Sequence, residues 1–499
     1  MQTFFSKTIP LFIILLFLSS CQKDTPDTLI PLSTEKELLE YKLEAALNPQ
    51  LSNKDVSGKI EEGKISLKLL YGTNVSNLIA TFSYKGKEIL VRGVAQVSGK
   101  TPHNLGSLTT YTVVAEDGST ATYTVNISFT PPIPHIYINI EGNKDVSSKD
   151  DYLSADLSIE ANDWGQDYSG KTQIKGRGNS TWGLPKKPYR LKLDKKASLL
   201  GLDEEKDWVL LANYIDPTLM LNAVAFKIGQ LAGLKYTNHA VPVELTINGR
   251  YAGNYLFTEQ VELSASRVNI DEDDGVLLEL DLNYDEDFKF HSNNYALPVM
   301  VKDPDVKSDA HFQQIKSDFH QFEDALASNL FPNNQYSNFI DIESVAKYIL
   351  IYNLTHNMEI NHPKSVYMYK DAGGKYTMGP IWDFDWAYDF EGKSVHFGSY
   401  TTPLLKKLPQ SSATGYPFFT RFLEDPEVVR IYRETWTRFH AEKKGELMDY
   451  IDWYADRIKE SQTKDHLLWN NGTSDFNGTV SRLKNWLEGR FRYMDDGGF

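Results

Sequence analysis

The sequence predicts an α+β protein in which a small β-sandwich module precedes a larger domain of strands followed by helices. Residues 35–130 contain short runs in which apolar and polar side chains alternate, as they do in half-buried strands. The proline-rich run at residues 131–135 is a stiff linker and marks the domain boundary. Strand patterns resume at residue 136, and beyond residue 308 the chain becomes mostly helical.

The first module is predicted from its turns as well as its strands. Asp117-Gly118 separates two β-branched runs, at residues 111–115 and 121–127, and this dipeptide is typical of hairpins. Thr34 and Glu37 have the spacing of a capping box, which predicts a short helix at the start of the module. The module resembles the immunoglobulin-like spacers of bacterial surface lipoproteins. Because no cluster of chemically reactive side chains is evident in it, we expect a stalk or a binding module rather than a catalyst.

Charge and composition exclude several kinds of site and partner. The chain has 499 residues, with 67 acidic and 52 basic side chains and a formal net charge of −15. This charge argues against a nucleic acid or an anionic membrane surface as the main partner. The single cysteine, Cys21, cannot form an internal disulfide, and a multi-cysteine zinc site is excluded.

The first residues are typical of an export signal. Lys7 is followed by an apolar run at residues 9–18 that is too short for a stable spanning helix. The Leu-Ser-Ser-Cys ending resembles a bacterial lipobox. We therefore expect residues 1–21 to be a lipoprotein signal peptide, Cys21 to be lipidated, and residues 22–34 to be a tether. The mature chain would be lipid-anchored outside the cytoplasm, at the outer membrane and cell surface; the alternative is a free thiol in a discarded leader.

A basic, glycine-rich segment at residues 175–193 stands out in this acidic chain. Its glycines allow backbone N–H groups to approach an anion closely. Arg177 offers a bidentate fork for phosphate, while lysines of the segment add point charge. The segment therefore indicates an anionic ligand; the alternative is a solvated hairpin with a charged outer face.

Two carboxylates follow a short hydrophobic strand near residue 378. Asp383 and Asp385 are two residues apart, and in extended backbone such residues point to the same face. Two like charges so close together repel each other unless a cation lies between them or one carboxylate is protonated. A hard cation such as Mg²⁺ with an attached phosphate would satisfy both groups. The alternative is that each aspartate caps a turn or pairs with a nearby lysine or arginine.

Helix signals surround these motifs. Asp216-Pro217 predicts an N-cap and a first helical residue, and Gly233 predicts the end of that helix. Capping is the favoured role for Asp216 over catalysis. Amphipathic runs at residues 309–327 and 341–354 predict two more helices.

Six motifs occur in the order found in the CotH kinase-like family, which is named after a spore-coat protein. They are Lys175-Gly176-Arg177-Gly178-Asn179-Ser180, Pro185-Lys186-Lys187-Pro188-Tyr189, Asp207-Trp208-Val209-Leu210, Asn248-Gly249-Arg250-Tyr251-Ala252-Gly253, Thr258-Glu259-Gln260 and Trp382-Asp383-Phe384-Asp385. The chain resembles this family over roughly residues 134–496. The resemblance implies an atypical bilobal protein-kinase-like domain at residues 136–499. Such a domain binds ATP and Mg²⁺ between its lobes and transfers phosphate to serine or other hydroxyls.

The resemblance also assigns roles in binding the nucleotide. It places Arg177 and Lys186 at the phosphates, with Lys187 and Lys192 as alternates. Glu259 resembles the acidic partner that orients a phosphate-binding lysine.

The catalytic and metal-binding roles fall on three carboxylates. Asp383 resembles the metal-binding aspartate of the family, with Asp385 as second choice. The family's catalytic loop usually has an Asn-x-Asp pattern, and here Glu359 stands in the place of its aspartate. Ser365 stands where a second asparagine is expected. Glutamate reaches about one methylene further than aspartate, so this loop departs from the family pattern at its reactive position.

Two functions from different classes follow from these patterns. The first is an exported ATP- and Mg²⁺-dependent kinase that acts on hydroxyls of a surface protein or glycan. The second is a non-catalytic cell-surface adhesion or binding protein that retains the fold. Abundant carboxylates and aromatics make a glycosidase conceivable, but no paired-acid geometry is evident.

Overall fold

A computed structural model describes four stretches of the chain: residues 31–51, 55–390, 398–407 and 413–498. The predicted signal peptide, the lipidation site Cys21 and most of the tether lie outside these stretches. The chain divides after Phe129 into two compact units. None of the helices within the described stretches combines the length and apolar character needed to cross a membrane.

The first unit contains two sheets that share one apolar core. Their orders are β2-β1-β5-β8 and β3-β4-β10-β9-β6-β7. The strands are β1 (Glu37–Leu43), β2 (Val56–Ser57), β3 (Lys59–Glu61), β4 (Lys64–Leu69), β5 (Leu78–Lys85), β6 (Glu88–Val91), β7 (Val94–Ala95), β8 (Pro102–His103), β9 (Thr109–Val114) and β10 (Thr120–Phe129). The predicted hairpin is confirmed, because β9 and β10 pair antiparallel on either side of the Asp117-Gly118 turn.

The helix predicted at the start of this module is wrong, because Glu37–Leu43 forms strand β1. Leu38 and Tyr41 are both buried although they lie three residues apart. A bulge between Leu38 and Glu40 shifts the strand alternation by one residue. The prediction rested on the capping-box spacing of Thr34 and Glu37, and such a short motif occurs without a helix where the following residues pair in a sheet.

The second unit begins with a closed barrel of seven strands in the order β11-β12-β13-β14-β15-β17-β16. The strands are β11 (His135–Ile140), β12 (Leu153–Glu160), β13 (Tyr168–Gly176), β14 (Tyr189–Ala197), β15 (Glu205–Leu211), β16 (Val241–Ile247) and β17 (Arg250–Glu259). Alternate side chains such as Leu157 and Ile159 fill the interior. Trp208 and Phe257 stack in the same core with ring centroids 5.0 Å apart.

A five-stranded sheet, six α-helices and short 3₁₀ helices complete the described part of this unit. The sheet order is β19-β20-β18-β21-β22, with β18 (Val276–Leu280), β19 (Lys289–His291), β20 (Pro298–Asp303), β21 (Val366–Lys370) and β22 (Tyr376–Met378). The helices are α1 (Leu221–Ala232), α2 (Asp309–Ala327), α3 (Ile342–Thr355), α4 (Gly415–Phe422), α5 (Pro426–Trp469) and α6 (Phe476–Asp495). Apolar side chains from the sheet and the helices form one large core.

The predicted helices are present, and one of them starts later than predicted. The runs at 309–327 and 341–354 form α2 and α3, and the Asp341 side chain caps α3. Helix α1 ends at Gly233 in the left-handed conformation, as predicted, but begins at Leu221. Asp216 instead closes the preceding turn, where its Oδ1 accepts the Thr218 N–H at 2.7 Å. Its Oδ2 accepts the Leu221 N–H at 2.8 Å, so it still serves the first helical residue.

Candidate functional site

A cavity of about 500 Å³ in the second unit is lined by the predicted basic and acidic motifs together. Its wall includes the glycine-rich loop at 176–181, at the end of barrel strand β13. The wall also includes Glu279 of β18, Glu359 of the 3₁₀ helix Met358–Asn361, and the segment at 382–386 except Phe384. Segments that are some 200 residues apart in the sequence therefore meet at one site.

The carboxylates of Glu359, Asp383 and Asp385 line this cavity. The predicted extended backbone is wrong, because Asp383 has a φ of 62° in the left-handed region. The chain turns at Asp383 instead of continuing as a strand. Both aspartates nevertheless line the cavity, half-buried, while Phe384 between them is fully buried.

Asparagine side chains hold this carboxylate turn from two directions. Asn357 Nδ2 donates to the Asp383 carbonyl at 3.0 Å, and its Oδ1 accepts the Glu359 N–H at 3.1 Å. Asn222 accepts the Phe384 N–H at 2.7 Å and donates to the Asp385 carboxylate. The positions of Glu359, Asp383 and Asp385 thus depend on two buried amides.

Burial and mutual repulsion raise the pKa of each carboxyl group. Burial raises the pKa of Glu359 well above its usual range, and the charge of Asp383 adds to this while Lys364 opposes it. Burial likewise raises the pKa of Asp385, and the neighbouring Asp383 raises it further. The pKa of Asp383 is also raised by burial, although Arg177 and Lys364 counteract the shift. Such a cluster favours a bound cation or a retained proton.

Arg177 supplies a positive charge to the same cavity. Its guanidinium lies over the Trp382 ring, 5.1 Å from the centroid. No side-chain hydrogen bond or ion pair joins this guanidinium to another residue of the described stretches. Burial lowers its pKa, against the opposing influence of Tyr367 and Asp383. The guanidinium is therefore half-buried and uncommitted to an ion pair, which suits an anionic ligand.

Lys186 is placed differently from the expectation. Its fully buried ammonium donates to Asp465 Oδ1 at 2.6 Å and to the Asn254 carbonyl at 2.5 Å. Gly253 makes this possible, because a Cβ there would lie 2.2 Å from Asp465 Oδ1. Lys186 borders the cavity, but its charge is neutralised by a residue of α5. In this structure it joins α5 to the barrel.

The alternate lysines and Glu259 lie outside the cavity wall. Lys187 Nζ donates to the Trp182 carbonyl at 2.6 Å, and Lys192 is exposed on β14. Glu259 accepts the His239 N–H at 2.8 Å and pairs with His239 Nδ1 at 2.6 Å. The ion pair found for Glu259 among the described residues is thus with histidine, where the resemblance implied a lysine.

The cavity contains polar residues that the sequence reasoning missed. Glu279 on β18 pairs with Lys302 at 3.2 Å, and both residues line the cavity. Asp281 accepts the Asn283 N–H at 2.6 Å and the Ser365 N–H at 2.9 Å, and so fixes the loop before β21. A signal was present, since Glu279 and Asp281 are two residues apart at the end of the apolar run that forms β18, and such residues share a face of a strand.

The donor set of the cavity fits Mg²⁺ in its chemistry. No group of three His, Cys, Asp or Glu side chains in the described stretches forms a ready-made metal site. Mg²⁺, however, is usually held by one or two carboxylates, with water and substrate phosphate completing the shell. Asp383 and Asp385 offer hard oxygen ligands of this kind.

Comparison with protein families assigns the second unit. The protein-family model described as CotH kinase protein matches residues 174–494 of this chain. The chain belongs to the CotH kinase protein family. The matched range contains every cavity residue named above as a candidate ligand or base. A second model, described as SGBP, N-terminal, matches residues 48–127 of the β-rich module.

The other comparisons add little to the assignment of the second unit to the CotH kinase protein family. No curated protein matches the chain. A structure provisionally described as a secreted protein from Bacteroides fragilis has 14% identity, covers 20% of this chain and 99% of its own, and gives a TM-score of 0.14. One provisionally described as a glycoside hydrolase from Bacteroides thetaiotaomicron has 14% identity, covers 59% of this chain and 89% of its own, and gives a TM-score of 0.16. Both TM-scores are too low to carry an argument about fold or activity.

Proposed function

We propose that the chain is an exported phosphotransferase that uses ATP and Mg²⁺ and phosphorylates hydroxyls of a surface protein or glycan. One observation carries this proposal: the uncommitted Arg177 guanidinium and the carboxylates of Glu359, Asp383 and Asp385 line the same cavity. A volume of about 500 Å³ is within the usual range for small-ligand sites. Family membership supports the same reaction class.

The two walls of the cavity would have different tasks. Arg177 and Lys175, on the barrel side, would bind the phosphates of ATP. Asp383 and Asp385 would hold Mg²⁺, which neutralises charge on the transferring phosphate. The barrel and the helix-covered sheet would then act as the two lobes of a kinase-like domain, with the nucleotide between them.

Glu359 is the residue best placed to accept the acceptor's proton. In the reaction, the hydroxyl proton moves to the Glu359 carboxylate while the hydroxyl oxygen bonds to the terminal phosphorus. The bond between that phosphorus and the bridging oxygen breaks, and ADP leaves. Burial raises the pKa of the Glu359 carboxyl group, and a carboxylate with a raised pKa is a stronger base than an ordinary glutamate.

The proposed location depends on the N-terminal residues. A lipid on Cys21 would anchor the mature chain to the membrane, with residues 22–34 as the tether. The β-rich module would then act as a spacer or a binding module, which places the catalytic unit where a surface protein or glycan can reach it.

Thermal unfolding of the full chain tests nucleotide binding. ATP with Mg²⁺ at a hundred times its Kd should stabilise the folded state by roughly 2.7 kcal/mol and raise Tm by a few degrees. Asp383→Ala should abolish the Mg²⁺ dependence of the shift, whereas the matched control Lys192→Ala, outside the cavity, should keep it. No shift at millimolar nucleotide would exclude the kinase function.

Phosphate transfer is the second step of the test. Labelled ATP should transfer phosphate to a protein or glycan fraction of the cell envelope, and Glu359→Gln should reduce the rate by roughly a hundredfold or more. Nucleotide binding without transfer, in the wild type and the variant alike, would favour the non-catalytic binding protein.

A further inference from the structure

Helix α1 presents one stripe of side chains to the segment that carries the aspartates. Asn222 bonds to the segment, and the Phe226 ring lies 5.8 Å from the Trp382 ring in a stacked arrangement. Gly229 continues the stripe, since a Cβ at this position would lie 3.0 Å from Ile381. These helix positions, four and three residues apart, form one face. The segment at 381–385 is therefore packed along α1.

Two asparagines bind opposite sides of a single peptide group within this segment. The carbonyl of the Asp383–Phe384 peptide accepts from Asn357 Nδ2 at 3.0 Å. The N–H of the same peptide donates to Asn222 Oδ1 at 2.7 Å. The plane of this peptide is consequently fixed from α1 on one side and from the loop after α3 on the other.

The clamped peptide follows a residue in an unfavourable conformation. Asp383 has a φ of 62°, which costs free energy for a residue other than glycine and persists only where the surroundings enforce it. Asn222 also donates a hydrogen bond from its Nδ2 to the Asp385 carboxylate. A side chain must both donate and accept to make these two bonds, and an amide of this length does so.

We propose that Asn222 is a positioning residue: by clamping the Asp383–Phe384 peptide, it fixes the turn that presents Asp383 and Asp385 to the cavity. The peptide clamp stands on the contacts alone, and its consequence for cation binding rests on the proposed function. Asn222 borders the cavity but is only 2% exposed, and both polar atoms of its side chain are bonded to the turn, so the role assigned to it is to position the turn.

Two substitutions of similar volume separate the bonds of Asn222. Asn222→Leu removes both, while Asn222→Asp keeps an acceptor for the Phe384 N–H but loses the donor. Hydrogen exchange of the Phe384 amide in the full chain, without ligands, should be roughly tenfold faster or more in Asn222→Leu. It should be close to wild type in Asn222→Asp combined with Asp385→Asn, where the new carboxylate does not face the charge of Asp385. The matched control is Asn238→Ala, which removes two hydrogen bonds of another fully buried asparagine, outside the cavity wall.

Calorimetric titration of Mg²⁺ in the presence of ATP gives the second readout. Asn222→Leu should weaken Mg²⁺ binding by roughly tenfold or more, as typical for residues that orient metal ligands, and Asn238→Ala should not. Unchanged Phe384 exchange in Asn222→Leu, or an equal change in Asn238→Ala, would overturn the proposal. If Asn222→Leu does not fold, the double variant Asn222→Asp/Asp385→Asn decides, since loss of its Phe384 protection would also overturn the proposal. Wild-type protein that binds neither Mg²⁺ nor ATP would refute the proposed function, while the exchange result would still test the clamp.

Discussion

The basic segment at 175–193 and the carboxylate turn at 382–386 line the same cavity, yet their charges are used differently. Of the cations, Arg177 faces the cavity uncommitted, Lys186 is buried against a helix, and Lys192 is exposed. In the turn, both aspartates face the cavity. Long basic side chains reach partners several ångströms away in any direction, whereas a short aspartate stays where its backbone places it. Local sequence therefore predicts the position of the acids better than the partners of the bases.

The largest expected effect tests whether Lys186 is structural. Asp465→Ala would leave a buried ammonium without its counter-ion and should lower the free energy of unfolding by about 3–5 kcal/mol. Tryptophan fluorescence in a denaturant titration reports the second unit, because all nine tryptophans lie beyond residue 130. The control Asp156→Ala breaks an exposed pair with Lys171 and should cost less than about 1 kcal/mol. Similar losses in the two variants would contradict the structural role of Lys186.

Substitution of Arg177 should have the opposite effect: a small change in stability and a large loss of ATP affinity. Arg177→Ala removes a guanidinium with no ion pair among the described residues, so stability should change by less than about 1 kcal/mol. Loss of a charged hydrogen-bond partner should weaken ATP binding by roughly 1.5–3 kcal/mol, which is more than tenfold in Kd. Isothermal titration with ATP measures the affinity, and Arg177→Lys should recover part of it. Unaltered ATP affinity in Arg177→Ala would contradict the proposal that Arg177 binds the phosphates of ATP.

The contrast between the two segments also shows how far sequence reasoning reached. Periodicity identified α2 and α3, and local motifs identified Arg177 and the two aspartates that line the cavity. Partners brought together by the fold were not predictable. Asp465 is 279 residues from Lys186, and no spacing rule links a residue of α5 to the loop before β14. The prediction of local conformation failed where it rested on a short motif alone, since the capping-box spacing of Thr34 and Glu37 leads into strand β1.

The carboxylate turn should make the ligand-free protein less stable as pH rises. Burial raises the folded-state pKa of Glu359, Asp383 and Asp385. The protonated forms therefore favour the folded state below the unfolded pKa of about 4, and this stabilisation is lost as pH increases through the raised values. Asp385→Asn keeps an acceptor for Asn222 and removes one charge, so it should stabilise the ligand-free chain at pH 7 by roughly 0.5–2 kcal/mol. Denaturant titrations from pH 4 to 8 without Mg²⁺ measure the slope, which should be shallower in the variant; a steeper or equal slope would contradict the repulsion.

The smallest expected effects are those of substituting Lys187 and Lys192. Both belong to the basic segment, but neither lines the cavity. Lys192 is exposed on β14, and Lys187 is occupied by the Trp182 carbonyl. Lys192→Ala should change the free energy of unfolding by no more than about 0.5 kcal/mol and leave ATP affinity unaltered. Lys187→Ala should also spare ATP affinity, with a stability loss of about 1 kcal/mol for the hydrogen bond. A severalfold loss of affinity in either variant would mean that the basic segment rearranges around the nucleotide, and the division between Arg177 and the lysines would then hold only for the ligand-free chain.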